Sequence, residues 1–224
     1  MSIDSPTNAA AALDGALGNL YASHPEALPF APELQIRAFM LEREGGNLLI
    51  YSAGGLGGHR AAVERLGGIS RHYLNHWHEA LFAPDWVPAP LYIHDDDRRP
   101  AAKKLRVEGS FSTRHTLEGD FEVIPTPGHT PGATAYLWDD GEHRFLFTGD
   151  TIFLRNNEWV AAVLDSSDRV RYIESLELIK GLDFDVLVPW AASGGEPYIA
   201  LTDGADAAQR IDLILERLRR GEDY

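Results

Sequence analysis

A chain of 224 residues, 44% of them hydrophobic and 24% charged, is long enough to bury its own core without a covalent staple. It contains no cysteine, which excludes disulfides, thiolate metal ligands and cysteine nucleophiles together. With 34 acidic against 20 basic side chains the net charge is −14, a field that repels phosphate backbones and argues against nucleic acid as a partner.

The opening stretch, MSIDSPTNAAAALDGALGNL, has no basic n-region, and Asp4 and Asp14 interrupt its apolar residues, so it does not read as a secretory signal. No run is long enough to span a bilayer, and the expectation is a cytoplasmic protein with no membrane partner and room for a homo-oligomer. Alanine-rich residues 1–30 predict a helix around Ala9–Tyr21 and an N-terminal arm, followed by one domain over 31–224. Leu34–Leu41 and Asn47–Ser52 read as strands of a hairpin turning at Glu44-Gly45-Gly46-Asn47. The Gly54–Gly58 run then leads into a short helical pattern, His59–Leu66, closed by Gly67-Gly68. That run fits neither GxGxxG nor a P-loop, and is read as a turn.

A third strand, Ile69–Leu74, runs into Asn75-His76-Trp77-His78-Glu79. Pro88–His94 is a further strand, and the acidic residues from Asp95 to Asp97 read as a solvated strand end rather than a cation site. Phe121–Pro125, Thr134–Trp138 and Arg144–Thr148 are apolar or β-branched runs, the last two joined at Asp139-Asp140-Gly141. Ser166 or Ser167 is the expected N-cap of a helix carrying Tyr172, Ile173, Leu176 and Ile179 and ending at Gly181. Phe184–Val188 is a buried strand, and Ala207, Ile211, Ile214, Leu215 and Leu218 share one face of a final amphipathic helix. Strands in two blocks, each followed by helices, predict two packed sheets with helices outside.

Three segments deliver metal-binding side chains to strand ends. His76 and His78 lie two apart, a spacing that on extended backbone points both imidazoles the same way. The prolines and glycines of Pro125-Thr126-Pro127-Gly128-His129-Thr130-Pro131-Gly132 fix a rigid loop around His129. Asp150 ends the apolar run Phe145-Leu146-Phe147-Thr148-Gly149, where burying a carboxylate is costly unless it is paired or binds a metal. Together these residues supply the nitrogen and oxygen donors of a zinc-type site. His72 reads as structural.

The PTPGHTPG and FTGDT segments resemble those of the metallo-β-lactamase superfamily, which includes glyoxalase II and many other hydrolases. The resemblance runs from about Leu34 to the last helix. It implies an α+β fold, a four-layer αββα sandwich of two mixed β-sheets with helices on the outer faces. It also implies that His76, His78 and His129 hold one metal, with Asp150 bridging to a second.

The departures bear on chemistry. The family's HxHxDH motif reads His76-Trp77-His78-Glu79-Ala80-Leu81, and its late histidine falls in Val188-Pro189-Trp190-Ala191, so the ligands belonging only to a second metal are missing. Trp77 and Trp190 are expected to wall off the vacated space, and Glu79 is a candidate general base beside Asp150. The expected function is a hydrolase with one zinc or iron ion, acting on a small ester, thioester or lactone. The alternative is a non-catalytic member with a structural metal, or none, and a binding or regulatory role. A nuclease of the same superfamily is disfavoured by the acidic charge.

Overall fold

The computed structural model describes residues 13–86 and 89–223. Its first sheet contains seven strands in the order Asp14–Leu17, Leu20–Ala22, Phe39–Leu41, Leu48–Ile50, Arg71–Tyr73, Leu91–His94 and Val107–Phe111. The first four pair antiparallel and the rest parallel. Parallel strands need crossovers, here the helix Arg60–Arg65, the 3₁₀ turn Trp77–Phe82 and the helix Asp95–Ala101.

A second sheet runs His115–Leu117, Phe121–Pro125, Thr134–Asp139, Arg144–Gly149, Val186–Pro189 and Ala200–Leu201. A third runs Glu158–Val160, Phe153–Arg155, Ala191–Ser193, Ala31–Ile36 and Glu26–Leu28. The second and third are linked by two chain segments that break pairing and resume it. Phe145 pairs in parallel with Val186, and beyond the break Leu154 pairs in parallel with Ala192. Asp150 and Trp190 sit in the two breaks.

Side-chain alternation sorts the residues into layers. Phe39 and Leu41 point into the main core with Tyr73, Phe121, Tyr136, Phe145, Phe147 and Val188, which fill the space between the first two sheets. Met40, between them, points outward and packs with Ala62 and Val63 of helix Arg60–Arg65. Leu91, Ile93 and Ala101 make a similar cluster beneath helix Asp95–Ala101. On the far side, Ile124, Leu137, Leu146 and Leu187 meet Tyr172, Leu176 and Ile179 of helix Arg169–Lys180, and Ile211, Ile214, Leu215 and Leu218 of helix Gly204–Arg219. The result is the αββα sandwich the sequence predicts.

Three local expectations are corrected. The helix around Ala9–Tyr21 is absent from Asp14 onward, where the strands Asp14–Leu17 and Leu20–Ala22 form instead, while residues 9–12 of it lie outside the described residues. Sheet pairing buries Leu20 and Ala22 completely, and Gly18 takes a left-handed φ of 53° at the hairpin turn, which outweighs alanine propensity. The strand Leu34–Leu41 splits at Arg37-Ala38 into pieces belonging to different sheets. The cap of helix Arg169–Lys180 is Asp168, whose carboxylate accepts from Val170 and Arg171 N–H at 3.1 Å, not Ser166 or Ser167. Among the described residues no helix is long and apolar enough to cross a membrane.

Candidate metal centre

The three segments converge. One donor atom from each of His76, His78, His129 and Asp150 lies within 4.8 Å of all the others. His76 ends the extended run after strand Arg71–Tyr73, with φ −152° and ψ 165°, while His78 lies inside the 3₁₀ turn Trp77–Phe82. The two rings therefore meet through the turn, not along an extended strand as their spacing suggests, with centroids 5.0 Å apart.

The outer ring nitrogens are held in place. His129 Nδ1 donates to the Ala162 carbonyl at 2.6 Å, which leaves Nε2 as the inward lone pair. His76 Nδ1 has Asn75 Oδ1 at 3.0 Å and Glu79 Oε1 at 3.2 Å, so its Nε2 also turns inward. That buried Nε2 has no hydrogen-bond partner, its nearest acid being Asp150 Oδ2 at 3.4 Å. His78 Nδ1 is 3.1 Å from His129 Nε2, which is 3.5 Å from Asp150 Oδ2. Donors on a tetrahedral ion with bonds of about 2.0–2.1 Å are separated by roughly 3.3 Å. The separations of 3.1, 3.4 and 3.5 Å sit around that edge length, so the residues fit a zinc-type ion.

Asp150 is placed by the left-handed turn that ends strand Arg144–Gly149. Gly149 adopts φ 57°, and a Cβ there would collide with the Asn75 side chain. Its N–H donates to Tyr51 Oη at 2.8 Å, and that hydroxyl donates to the Val188 carbonyl at 2.7 Å. The Asp150 carbonyl accepts from Tyr172 Oη at 2.9 Å and from Ala162 N–H at 3.2 Å. The peptide that orients His129 is thus tied to the backbone of Asp150.

Without an ion the electrostatics of the cluster are uneven. Burial alone would lower the His76 pKa, but the carboxylates of Asp150 and Glu79 outweigh it and push it up to about 10. His78 falls to about 3 through burial and the positive charges of His76 and His129. Burial would raise the Asp150 carboxyl, yet the three imidazoles hold it below its ordinary range.

Glu79 does not face the cluster's inner space. It is fully buried, Oε1 accepting from Asn75 N–H at 2.9 Å and His76 N–H at 3.2 Å, and Oε2 from Ser52 N–H at 3.1 Å. It lies on the Nδ1 side of His76, opposite the nitrogen that points to Asp150. Ala80 is buried beneath helix Asp95–Ala101 with Leu74 and Ile93, while Leu81 is 52% exposed. Trp190 is buried with its ring 5.4 Å from His76, and its Nε1 donates to the Ser52 carbonyl at 2.8 Å. Trp77 packs against His78 at 4.2 Å.

Sequence reasoning missed Asn75, Ala162 and Tyr172. Ala162 acts through its backbone and Tyr172 lies on a helix remote in sequence, so only adjacency to His76 could have pointed to Asn75. It also placed Asp97 in solvent, where the structure buries it at 1% exposure. Ser167, no cap, donates from Oγ to the His129 carbonyl at 3.1 Å and so anchors that loop.

Residues 50–191 match the family model of the metallo-β-lactamase superfamily, a span that takes in all four donors. The chain belongs to this superfamily. Within it, 86 residues are 35% identical to the hydroxyacylglutathione hydrolase of Xanthomonas campestris pv. campestris, covering 38% of this chain and 31% of that enzyme. Another 30% identity over 81 residues relates it to the N-acyl homoserine lactonase AttM of Agrobacterium fabrum, covering 35% of this chain and 31% of the lactonase. Both alignments thus cover less than a third of the curated relative. The subclass B3 metallo-β-lactamase of Bradyrhizobium japonicum superposes with a TM-score of 0.62 over 92% of each chain at 16% identity, a likeness of fold.

Proposed function

We propose that this superfamily member is a metal-dependent hydrolase with a single divalent ion, zinc or iron, held by His76, His78 and His129 with Asp150 beside them. Its proposed substrate is a small-molecule ester, thioester or lactone. The observation that carries this reading is the buried, unpartnered Nε2 of His76, aimed at Asp150 in a group of donors spaced for one ion. A divalent ion there supplies Lewis acidity, which polarises an acyl carbonyl and acidifies water.

The chain's own residues define the rest. Asn75, Glu79 and Ala162 fix the tautomers of His76 and His129, so the inward nitrogens are ready as lone-pair donors. Asp150, with 17% of its side chain exposed, is the carboxylate at the centre that can accept a proton from an attacking water. Glu79, with three backbone N–H groups on its carboxylate, is a positioning residue for His76 rather than the base. Ala80, Leu81 and Ala191 stand at the positions that carry second-ion ligands in dinuclear relatives, and Trp190, next to Ala191, packs 5.4 Å from the His76 ring, which supports one ion per chain.

A second reading has its own support. Three histidines and one aspartate fill all four positions of a tetrahedral ion if Asp150 binds it, and closed sites are structural. That reading is a non-catalytic protein with a binding or regulatory role. Elemental analysis of protein purified without chelator, followed by ester and thioester assays of the loaded protein, separates the two. One ion with metal-dependent turnover supports the hydrolase, and one ion with no turnover supports the closed site. Absence of bound metal under metal-replete conditions would refute the hydrolase and the closed site alike, and leave a non-catalytic protein without metal.

A further inference from the structure

The acidic run Asp95-Asp96-Asp97 opens helix Asp95–Ala101, and its third member behaves unlike the other two. Asp95 and Asp96 are exposed, whereas Asp97 is buried at 1%. Burying an unpaired carboxylate is expensive, so its partners matter. Oδ2 accepts from the backbone N–H of Trp77 at 3.0 Å and from the Thr130 hydroxyl at 2.6 Å, and Oδ1 accepts from the Gly132 N–H at 3.0 Å. Charge-assisted bonds of this kind are roughly twice as strong as neutral ones.

The identity of the partners gives the carboxylate its significance. Trp77 lies between His76 and His78, and Thr130 and Gly132 follow His129 in its loop. Asn75 and Thr134 already join these two segments where their strands meet, through Thr134 N–H to the Asn75 carbonyl at 3.0 Å. Asp97 joins them again at the turn and loop that carry His78 and His129. Gly132 presses against it so closely that a Cβ would collide with the Asp97 side chain and backbone. The clamp therefore has little slack.

We propose that Asp97 is a positioning residue that sets the approach of His78 to His129, and so the affinity and geometry of the metal centre. The inference rests on the reading of these histidines as metal ligands. An asparagine in its place keeps the shape but replaces one acceptor with a donor, which then opposes one of the three N–H or O–H groups. Thr130→Val removes a single donor and leaves the carboxylate in place.

The test is competition for zinc between a chromophoric chelator and wild type, Asp97→Asn or Thr130→Val, with the visible spectrum of the cobalt-loaded proteins recorded alongside. Asp97→Asn is expected to bind zinc about 10–100-fold more weakly, the range found when groups supporting metal ligands are removed. Its cobalt spectrum should be altered while its far-ultraviolet circular dichroism stays native. Thr130→Val should show a smaller loss in the same direction. Wild-type affinity and spectrum in Asp97→Asn overturn the proposal, even with a lowered melting temperature, because the carboxylate then serves the fold alone. If Asp97→Asn does not fold, unchanged zinc affinity in Thr130→Val overturns it. Wild type that takes up no zinc refutes the metal centre itself, and this proposal with it.

Discussion

Glu79 Oε1 lies 3.2 Å from His76 Nδ1, on the side of the imidazole away from Asp150, and the same carboxylate closes the turn by accepting from the N–H groups of Asn75, His76 and Ser52. A general base needs a free lone pair facing substrate, and this carboxylate is held by three backbone N–H groups on the side of His76 away from Asp150. Glu79→Gln is therefore expected to act on stability first. Its amide nitrogen would oppose one of the backbone donors, and leaving a buried donor unmet costs about 1–3 kcal/mol. Chemical denaturation should report a loss of that size. A variant as stable as wild type that nonetheless loses all hydrolytic activity would restore Glu79 to the role of base.

Metal occupancy should be coupled to folding. An ion that binds the native state alone stabilises by mass action, about 2.7 kcal/mol at a free concentration 100 times its Kd. For a domain of this size that corresponds to roughly 5–10 °C in melting temperature. Chelation of loaded protein should lower Tm accordingly. His129→Ala should abolish the response, whereas His143→Ala should keep it, since His143 pairs with Asp185 and contributes no donor to the cluster. Equal melting of loaded and chelated wild type would break the coupling.

His72 makes a prediction about acid. It is buried at 1% exposure, with Nε2 2.7 Å from the Tyr51 carbonyl, and burial lowers its pKa to about 4 although that hydrogen bond opposes the change. The unfolded chain binds a proton near pH 6.5 and the folded chain only near 4, so stability is lost as pH falls through that window. The loss approaches about 3 kcal/mol at the acid end, because each tenfold drop in proton affinity on folding is worth about 1.4 kcal/mol. His72→Gln removes the titration. Urea unfolding between pH 7 and 4 should fall less steeply for the variant, by about one proton, and identical slopes would remove His72 from the acid response.

The donor set and the layers were legible in the sequence because each rests on local pattern. Rigid prolines and glycines around His129 and the apolar run before Asp150 mark strand ends directly, and alternation at Phe39, Met40 and Leu41 sorts faces. What stayed hidden depends on distant partners. Leu20 is a strand residue because Leu41 pairs with it, against the helical bias of the alanines before it. Glu79 reads as a candidate base from its place beside His78, and only the fold reveals that its carboxylate accepts from Ser52 and Asn75 N–H. Asp97 reads as a solvated acid until Thr130 and Gly132, more than thirty residues away, are folded onto it.

Turnover gives the sharpest division between the two readings of the centre. General-base positioning contributes about 10²–10⁴-fold to catalysis, and here Asp150 is the single carboxylate within the donor group. If Asp150 also binds the ion, its capacity to accept a proton is reduced. We therefore expect slow hydrolysis of activated esters and thioesters by the loaded protein, well below the ordinary enzyme rate of about 10 per second. His78→Ala should lower it further, because it removes a donor 3.1 Å from His129 Nε2 while leaving the buried core around His76 intact. Asp150→Asn separates the roles. It should weaken zinc binding and turnover together if the carboxylate is a ligand, and reduce turnover at near-native affinity if it serves as the base. Wild-type turnover near 10 per second would refute the proposal of an impaired single-ion centre, and turnover insensitive to His78→Ala would place the chemistry elsewhere on the molecule.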